Sequence, residues 1–80
     1  MTITVKLFAA YRELLGKSEV SLTLRPGMTV ADVFHETVGD KGSDGLRKST
    51  LFAVNEAYVL PDTVVKDGDR VAFIPPVSGG

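Results

Sequence analysis

The chain has 80 residues, of which 44% are hydrophobic, and its formal net charge at pH 7 is −1. A chain of this length forms one domain with a modest core, and its near-neutral charge disfavours nucleic-acid binding, which requires Lys and Arg clustered against phosphates. The sequence contains no cysteine and one histidine, which excludes disulfides and thiolate ligands and makes a zinc site unexpected. No run of about 18 apolar residues occurs, so we expect a cytoplasmic protein without a membrane anchor.

Two strands and a short helix are predicted for the first third of the chain. Apolar residues recur at every second position of a half-buried strand, at Ile3, Val5 and Leu7. Good helix formers follow in segment 9–16, which ends at Gly16 as its C-cap and predicts one or two helical turns. A second alternating run, 20–25, stops at the Pro26-Gly27 turn and predicts a strand antiparallel to the first.

One amphipathic helix is predicted in the middle of the chain. Thr29 is followed three residues later by an acid, Asp32, which indicates a helix N-terminus with Thr29 as its cap. The helix is expected to end at about residue 38. Its apolar stripe consists of Val30, Val33, Phe34 and Val38. Spacings of three and four place these residues on one face, so we interpret them as core residues that cover a sheet, not as a cofactor site.

Segment 39–48 is polar and rich in glycine, which is typical of a surface loop, with Leu46 as its contact to the core. Its glycines lack the order Gly-x-x-x-x-Gly-Lys-Ser/Thr of a phosphate-binding loop. The sequence therefore assigns no function to the loop at 39–50.

The last third of the chain predicts three more strands, at 51–54, 57–59 and 70–74. The Asn55-Glu56 turn joins the first two of them, a turn at 66–69 precedes the last, and Pro75 ends it. The resulting fold class is α+β. A four- to five-stranded mixed sheet packed on one main helix is expected, which is the β-grasp or ubiquitin-like architecture.

A tail of six residues follows the predicted domain of residues 1–74: Pro75, Pro76, Val77, Ser78, Gly79 and Gly80. The two prolines lack a backbone N–H and favour an extended chain direction, whereas the two glycines have no Cβ and fit a narrow channel. Fully extended, the tail reaches about 20 Å, at roughly 3.3–3.6 Å per residue, far enough to enter another protein's active site. The sequence therefore predicts that the working group is the C-terminal carboxylate of Gly80.

Two apolar residues are predicted on the sheet face opposite to the core. Phe8 alternates with the core positions of the first strand, and Ile74 alternates with those of the last. If these strands are neighbours, as in a β-grasp sheet, both residues form an apolar patch near the tail, which Tyr58 extends. Such patches mark partner interfaces. The alternative is that single exposed apolar residues are ordinary surface.

Three segments carry a recognisable pattern: Leu-Phe-Ala-x-x-Arg-Glu-Leu-x-Gly at 7–16, Val-Asn at 54–55, and Asp-Gly-Asp-x-Val-Ala-Phe-x-Pro-Pro-Val-Ser-Gly-Gly at 67–80. They resemble the MoaD family, the small sulfur-carrier subunits of molybdopterin synthase, within the ubiquitin-like MoaD/ThiS superfamily. The resemblance covers nearly the whole chain. Its most specific element is the double proline before Val-Ser-Gly-Gly, since the related thiamine sulfur carriers share Gly-Gly but usually lack the prolines.

The resemblance implies that a MoeB-like enzyme uses ATP to adenylate Gly80 and that a sulfur donor then displaces AMP to leave a thiocarboxylate. The tail is then expected to enter a MoaE-like large subunit and to donate sulfur to cyclic pyranopterin monophosphate, so that two transfers form the molybdopterin dithiolene. The functional complex is expected to contain two small and two large subunits. The chain itself is expected to bind no cofactor or metal and to act as a protein cosubstrate, with the catalytic residues on the large subunit.

Two alternatives remain open from the sequence alone. The same tail and activation would serve sulfur transfer to thiamine or to tRNA. A ubiquitin-like module that is conjugated to lysines, or that binds partners through its terminus, would also end in this way. No side chain is expected to act as a general acid or base, because His35 is interpreted as a solvated helix residue and Asp67 and Asp69 as turn residues.

Overall fold

The computed structural model describes residues 1–42 and 44–75. The predictions for Pro76, Val77, Ser78, Gly79 and Gly80 therefore lie outside the described residues. In chain order, the elements are β1 (Thr2–Leu7), α1 (Ala9–Leu15), β2 (Glu19–Thr23), α2 (Val30–Val38), α3 (Asp44–Lys48), β3 (Leu51–Val54), β4 (Ala57–Val59) and β5 (Arg70–Ile74). Each strand and helix predicted from the sequence is present, and α3 is additional.

The last strand, β5, is the central strand of a mixed sheet with the order β2-β1-β5-β3-β4. It pairs in parallel with β1, whereas the pairs β1–β2, β3–β5 and β3–β4 are antiparallel. The predicted antiparallel pairing of the first two strands and the predicted adjacency of the first and last strands are both confirmed. A mixed sheet with this order, packed on one main helix, is the β-grasp arrangement expected from the sequence.

The core lies between α2 and one face of the sheet. The β1 residues expected there, Ile3, Val5 and Leu7, are at most 2% exposed, and the apolar stripe of α2 is buried with them. Four aromatic rings pack edge to face at this core, with centroids 4.9–5.9 Å apart: Tyr11, Phe34, Phe52 and Phe73. Such ring pairs contribute about 0.5–1.5 kcal/mol each beyond burial. They fix both α1 and α2 against β3 and β5.

The N-terminus of α2 is held by the capping arrangement that the sequence predicted. The backbone N–H of Asp32 donates to Thr29 Oγ1 over 3.2 Å, and the Thr29 N–H donates to Asp32 Oδ2 over 3.0 Å. The hydrogen bond from the Thr29 backbone, followed by the one with its side chain, holds the pKa of the Asp32 carboxyl below its ordinary value. The carboxylate form of Asp32 is therefore part of the folded structure.

Segment 39–48 is not the continuous loop expected, because Asp44–Lys48 form the short helix α3. The guanidinium of Arg47 donates to the carbonyl of Gly39 at the end of α2. It also lies 5.7 Å from the ring centroid of Phe34, within the range of a cation–π contact. The prediction was wrong here since these contacts are tertiary, and a glycine-rich segment gives no local signal of them.

Candidate functional site

The predicted tail begins at the C-terminal end of β5, in the centre of the sheet. The parallel pair β1–β5 places Leu7 beside Phe73, so the residues that follow them, Phe8 and Ile74, lie at the same end of the two strands. Pro75 is buried, so the predicted start of the tail falls on a buried residue. Insertion of the tail into a partner stays a prediction.

A row of four residues crosses the sheet on the face turned away from α2. From β1 to β4 this row consists of Lys6, Ala72, Ala53 and Tyr58. Lys6 alternates with the buried core residues of β1, which assigns the whole row to the outer face. The two alanines leave the middle of the row low, because their side chains end at Cβ.

This low region is the floor of an open hollow of about 390 Å³, here called the outer hollow. Its apolar wall and charged rim are formed by Phe8, Tyr58, Ile74, Lys6, Glu56 and Arg70. Phe8 is 47% exposed and Tyr58 is 71% exposed, whereas Ile74 is half-buried. The structure therefore brings together all three residues that the sequence predicted as an apolar patch. Their contact with a partner stays a prediction.

Leu51 is a further apolar residue beside this hollow that the sequence analysis did not single out. It pairs with Ile74 across β3 and β5 and is 56% exposed. Segment 51–54 is apolar at every position, so no two-residue period in the sequence distinguishes its outer face from its core face. The pairing register supplies that distinction.

On one side of the outer hollow, the rim carries an ion pair. Lys6 Nζ lies 2.9 Å from Glu19 Oε1 on β2. The hydrogen bond from Lys6, together with its positive charge, lowers the pKa of the Glu19 carboxyl below its ordinary value. Both side chains are about half exposed, with 44% and 51% of their surface accessible, so solvent screens the attraction.

On the other side of the hollow, the Asn55-Glu56 turn is tied to β5. Asn55 Oδ1 accepts from the Arg70 N–H over 3.0 Å, and the Asn55 N–H donates to the Arg70 carbonyl over 2.8 Å. Asn55 and Glu56 have φ values of 50° and 71°, as the central residues of a two-residue hairpin turn require. The turn thereby holds Glu56 at the rim.

The other polar residues considered from the sequence have structural partners or face solvent. Asp67 Oδ1 accepts from the Thr2 N–H over 2.9 Å, and Asp69 Oδ2 accepts from the Lys66 N–H over 2.8 Å. Asp69 therefore acts within the turn, as predicted, whereas Asp67 connects the turn to the start of β1, and His35 is exposed on α2. Within residues 1–42 and 44–75, no three His, Asp or Glu side chains are grouped to hold a metal ion. No helix in these ranges is long and apolar enough to span a membrane.

Comparison of the sequence with known proteins identifies related chains over its full length. The ThiS family model matches residues 5–80. The molybdopterin synthase sulfur carrier subunit of Chlamydomonas reinhardtii is 39% identical, and the alignment covers all of both chains. The molybdopterin synthase sulfur carrier subunit of Arabidopsis thaliana is 37% identical over 98% of this chain and 82% of the plant protein.

Solved structures of similar proteins share the fold. SAMP1 from Haloferax volcanii superposes with a TM-score of 0.84 at 29% identity, with both chains fully covered. Subunit 1 of the molybdopterin converting factor from Pyrococcus furiosus gives a TM-score of 0.78 at 33% identity, covering 96% of this chain and 99% of that one. The small archaeal modifier protein 1 of Methanosarcina acetivorans gives 0.75 at 30% identity, over 99% and 96%. These matches confirm the ubiquitin-like β-grasp fold and the resemblance inferred from the sequence, and the chain belongs to the ThiS family.

Proposed function

We propose that this chain is the sulfur carrier subunit of a molybdopterin synthase and that Gly80 carries the sulfur. The supporting observation is the alignment, because relatives of that name match 98–100% of the chain and the family model extends through residue 80. The double proline before the terminal Val-Ser-Gly-Gly resembles the MoaD carriers, which favours this role over sulfur transfer to thiamine or tRNA.

The proposed chemistry begins with activation, because a carboxylate is a poor electrophile. On an adenylating enzyme, an oxygen of the Gly80 carboxylate attacks the α-phosphorus of ATP, and pyrophosphate leaves. A sulfur nucleophile then attacks the acyl carbon, and AMP leaves with the electron pair of the broken C–O bond. When hydrosulfide (HS⁻) is the nucleophile, the products are AMP, the ionised thiocarboxylate and a proton. ATP is thus used on the activating enzyme, and this chain needs no cofactor of its own.

In the synthase, the thiocarboxylate sulfur forms a bond to a side-chain carbon of cyclic pyranopterin monophosphate, and an oxygen substituent leaves that carbon with the electron pair of its C–O bond. Water then attacks the Gly80 acyl carbon, the bond between that carbon and sulfur breaks, and the sulfur stays on the pterin. That cleavage restores the carboxylate for another cycle, and two cycles supply the two sulfurs of the dithiolene. The groups that catalyse these steps belong to the large subunit in this proposal. The chain acts as a protein cosubstrate in a complex of two small and two large subunits.

The folded domain contributes the docking surface for this chemistry. A partner that receives Gly80 must lie within about 20 Å of Ile74, the reach of six extended residues. The outer hollow extends along β5 from Arg70 to Ile74, and its apolar residues Phe8 and Tyr58 line it together with Ile74. We therefore assign the contact with the large subunit and with the adenylating enzyme to this surface.

Intact mass spectrometry tests the carrier chemistry directly. The chain is incubated with ATP, a MoeB-type adenylating enzyme and a sulfide source, and tandem fragmentation locates the change in mass. We expect one oxygen to be replaced by sulfur at Gly80. The matched control is a chain that lacks Gly80, which should unfold at the same temperature but gain no sulfur. An unchanged mass, with the enzyme active on another carrier, would contradict the proposal, as would sulfur transfer by the shortened chain.

A second candidate function is conjugation to other proteins. Its supporting observation is the likeness to small archaeal modifier proteins, with TM-scores of 0.75 and 0.81 at 30% and 27% identity. The same acyl-adenylate, attacked by a lysine amine in place of sulfide, gives an isopeptide bond and releases AMP. Isopeptide-linked Gly80 in digests of cell extract would support this role, and its absence from cells that contain thiocarboxylated chain would exclude it.

A further inference from the structure

We propose that the outer hollow receives one large apolar side chain that projects from the synthase large subunit, and that a carboxylate of that subunit lies beside this side chain. The inference rests on the proposed function, which requires a partner surface next to the end of β5. It adds the shape and the charge which that surface must have.

The floor of the hollow is the first step of the argument. Ala53 and Ala72 pair across β3 and the central strand β5. Alanine is among the residues depleted in strands, and a β-branched or aromatic side chain at either position would cover more of its neighbours. The two alanines instead leave an open volume of about 390 Å³ above them. The outer face of the sheet is thus recessed above this pair of alanines.

The wall of the hollow indicates what fills it. Phe8, Tyr58 and Ile74 present apolar surface around the alanine floor, and Leu51 continues that surface beside Ile74. Large side chains that fill well-packed hollows at the centre of an interface supply most of the binding energy of protein complexes. A Leu, Met or Phe on the partner has the size and the apolar character that this wall requires.

The rim indicates the charge beside that side chain. Lys6 and Arg70 are cationic, and two acids oppose them, Glu56 in the lining of the hollow and Glu19 beside Lys6. Lys6 is paired with Glu19. Among residues 1–42 and 44–75, the guanidinium of Arg70 forms no ion pair. A carboxylate on the partner would therefore pair with Arg70 and fix the orientation of docking.

Substitutions that fill the outer hollow test its proposed fit to a large side chain of the partner. Ala72→Leu places a large side chain on the outer face, and Ser21→Leu adds the same group to an exposed position on the same face of β2, outside the hollow. We expect Ala72→Leu to weaken binding to the purified large subunit by about tenfold or more, because the added side chain overlaps the partner side chain that occupies the hollow. Ser21→Leu should change the dissociation constant less than about twofold. If this surface were a flat apolar patch and not a hollow, Ala72→Leu would bind the large subunit as tightly as the wild type or more tightly. That result would overturn the proposal.

Ala72→Val protects this test against loss of the fold. Valine favours strands, so the variant should unfold at the wild-type temperature or above it while it fills part of the hollow. We expect its affinity to lie between those of the wild type and Ala72→Leu. If Ala72→Leu and Ala72→Val both bind the large subunit with wild-type affinity, the proposal is contradicted, whatever the stability of the two variants.

Charge reversal tests the rim. Arg70→Glu should weaken binding about tenfold at low salt, and its affinity should depend less on salt than that of the wild type. Lys17→Glu makes the same change in net charge at an exposed position outside the hollow, and it should leave the affinity within about twofold. If Arg70→Glu and Lys17→Glu lose affinity equally, the loss is a general effect of charge. The proposed carboxylate on the partner is then excluded.

The same preparations separate this inference from the function on which it rests. Each is also assayed for thiocarboxylate formation at Gly80. If the wild type gains no sulfur, the proposed function fails and the inference falls with it. If the wild type gains sulfur and binds the large subunit, while Ala72→Leu binds equally well, only the hollow proposal fails.

Discussion

Tyr11 Oη lies 2.6 Å from Thr50 Oγ1 inside the domain, where Tyr11 is fully buried. Thr50 Oγ1 in turn donates to the carbonyl of Leu46 over 2.6 Å. Because the threonine has one hydroxyl proton, the phenol is the donor of the first bond. The pair therefore links α1 to α3 and to the residue that precedes β3.

This hydrogen bond allows a graded test of stability. Tyr11→Phe should lower the free energy of unfolding by about 1 kcal/mol, since the ring keeps its contacts with Phe34 and Phe73. Thr50→Val should cost more, roughly 2 kcal/mol, because it leaves the phenol buried without an acceptor. Denaturant unfolding of both variants measures the two losses. A larger loss for Tyr11→Phe than for Thr50→Val would contradict this account of the donor.

The hairpin turn between β3 and β4 should become more stable on substitution by glycine. Glu56 has a φ of 71°, and a left-handed conformation costs a residue with a side chain about 1–2 kcal/mol. Glu56→Gly removes that cost but adds about 0.5–1 kcal/mol of unfolded-state entropy, so a net gain of about 0.5–1 kcal/mol is expected. Ala57→Gly, one residue later in β4, is the matched control and should lose stability. Thermal unfolding of both variants measures the change in stability. A loss of stability in Glu56→Gly would show that the Glu56 side chain stabilises the turn.

The cap of α2 predicts a stability difference that depends on pH. Thr29→Ala removes the acceptor of the Asp32 N–H and should cost about 1 kcal/mol at neutral pH. Asp32 has a folded-state pKa below its ordinary value of 3.8, so its contribution is complete above that value and is lost as the pH falls through the folded-state pKa. Thr29→Ala keeps the backbone N–H that is the main cause of the lowered pKa and loses only the side-chain hydrogen bond, so the difference between wild type and Thr29→Ala should shrink in acid by that smaller part. Urea denaturation at a series of pH values tests this, and a constant difference would exclude the coupling.

The ion pair at the rim of the outer hollow can be observed through one carboxyl group. Lys6 is the main cause of the lowered pKa of Glu19, so Lys6→Met should move that pKa back towards 4.5. An NMR titration of the Glu19 carboxyl carbon measures the shift. Lys17→Met is the control and should leave the titration unchanged. The same pKa in both variants and the wild type would mean that the pair does not persist in solution.

The sequence predicted those elements whose period is visible within a single segment. The stripe of α2 and the alternation in β1 assign residues to faces without any knowledge of neighbouring strands, which is why Phe8 and Ile74 were identified. The short helix α3 depends on contacts of Arg47 with Gly39 and Phe34, and no local pattern records them.

The outer hollow could not be predicted in the same way. Its floor exists because Ala53 and Ala72 are paired, and pairing depends on the register of two strands that are far apart in the chain. Leu51 and Arg70 become part of the candidate site through the same register. A single sequence shows which residues share a face but not which of them are adjacent.

The position of β5 has a consequence for the synthesis of the protein. It is the last strand in chain order, yet it lies between β1 and β3 in the sheet. While residues 70–74 remain inside the ribosome, the strand pairs β1–β2 and β3–β4 have no strand to join them, so the sheet closes only after residues 70–74 emerge. A nascent or prematurely terminated chain that lacks β5 also lacks Arg70, Ala72 and Ile74 at the outer hollow. If the outer hollow is the docking surface, as proposed, such incomplete copies are not expected to compete with finished ones for a partner.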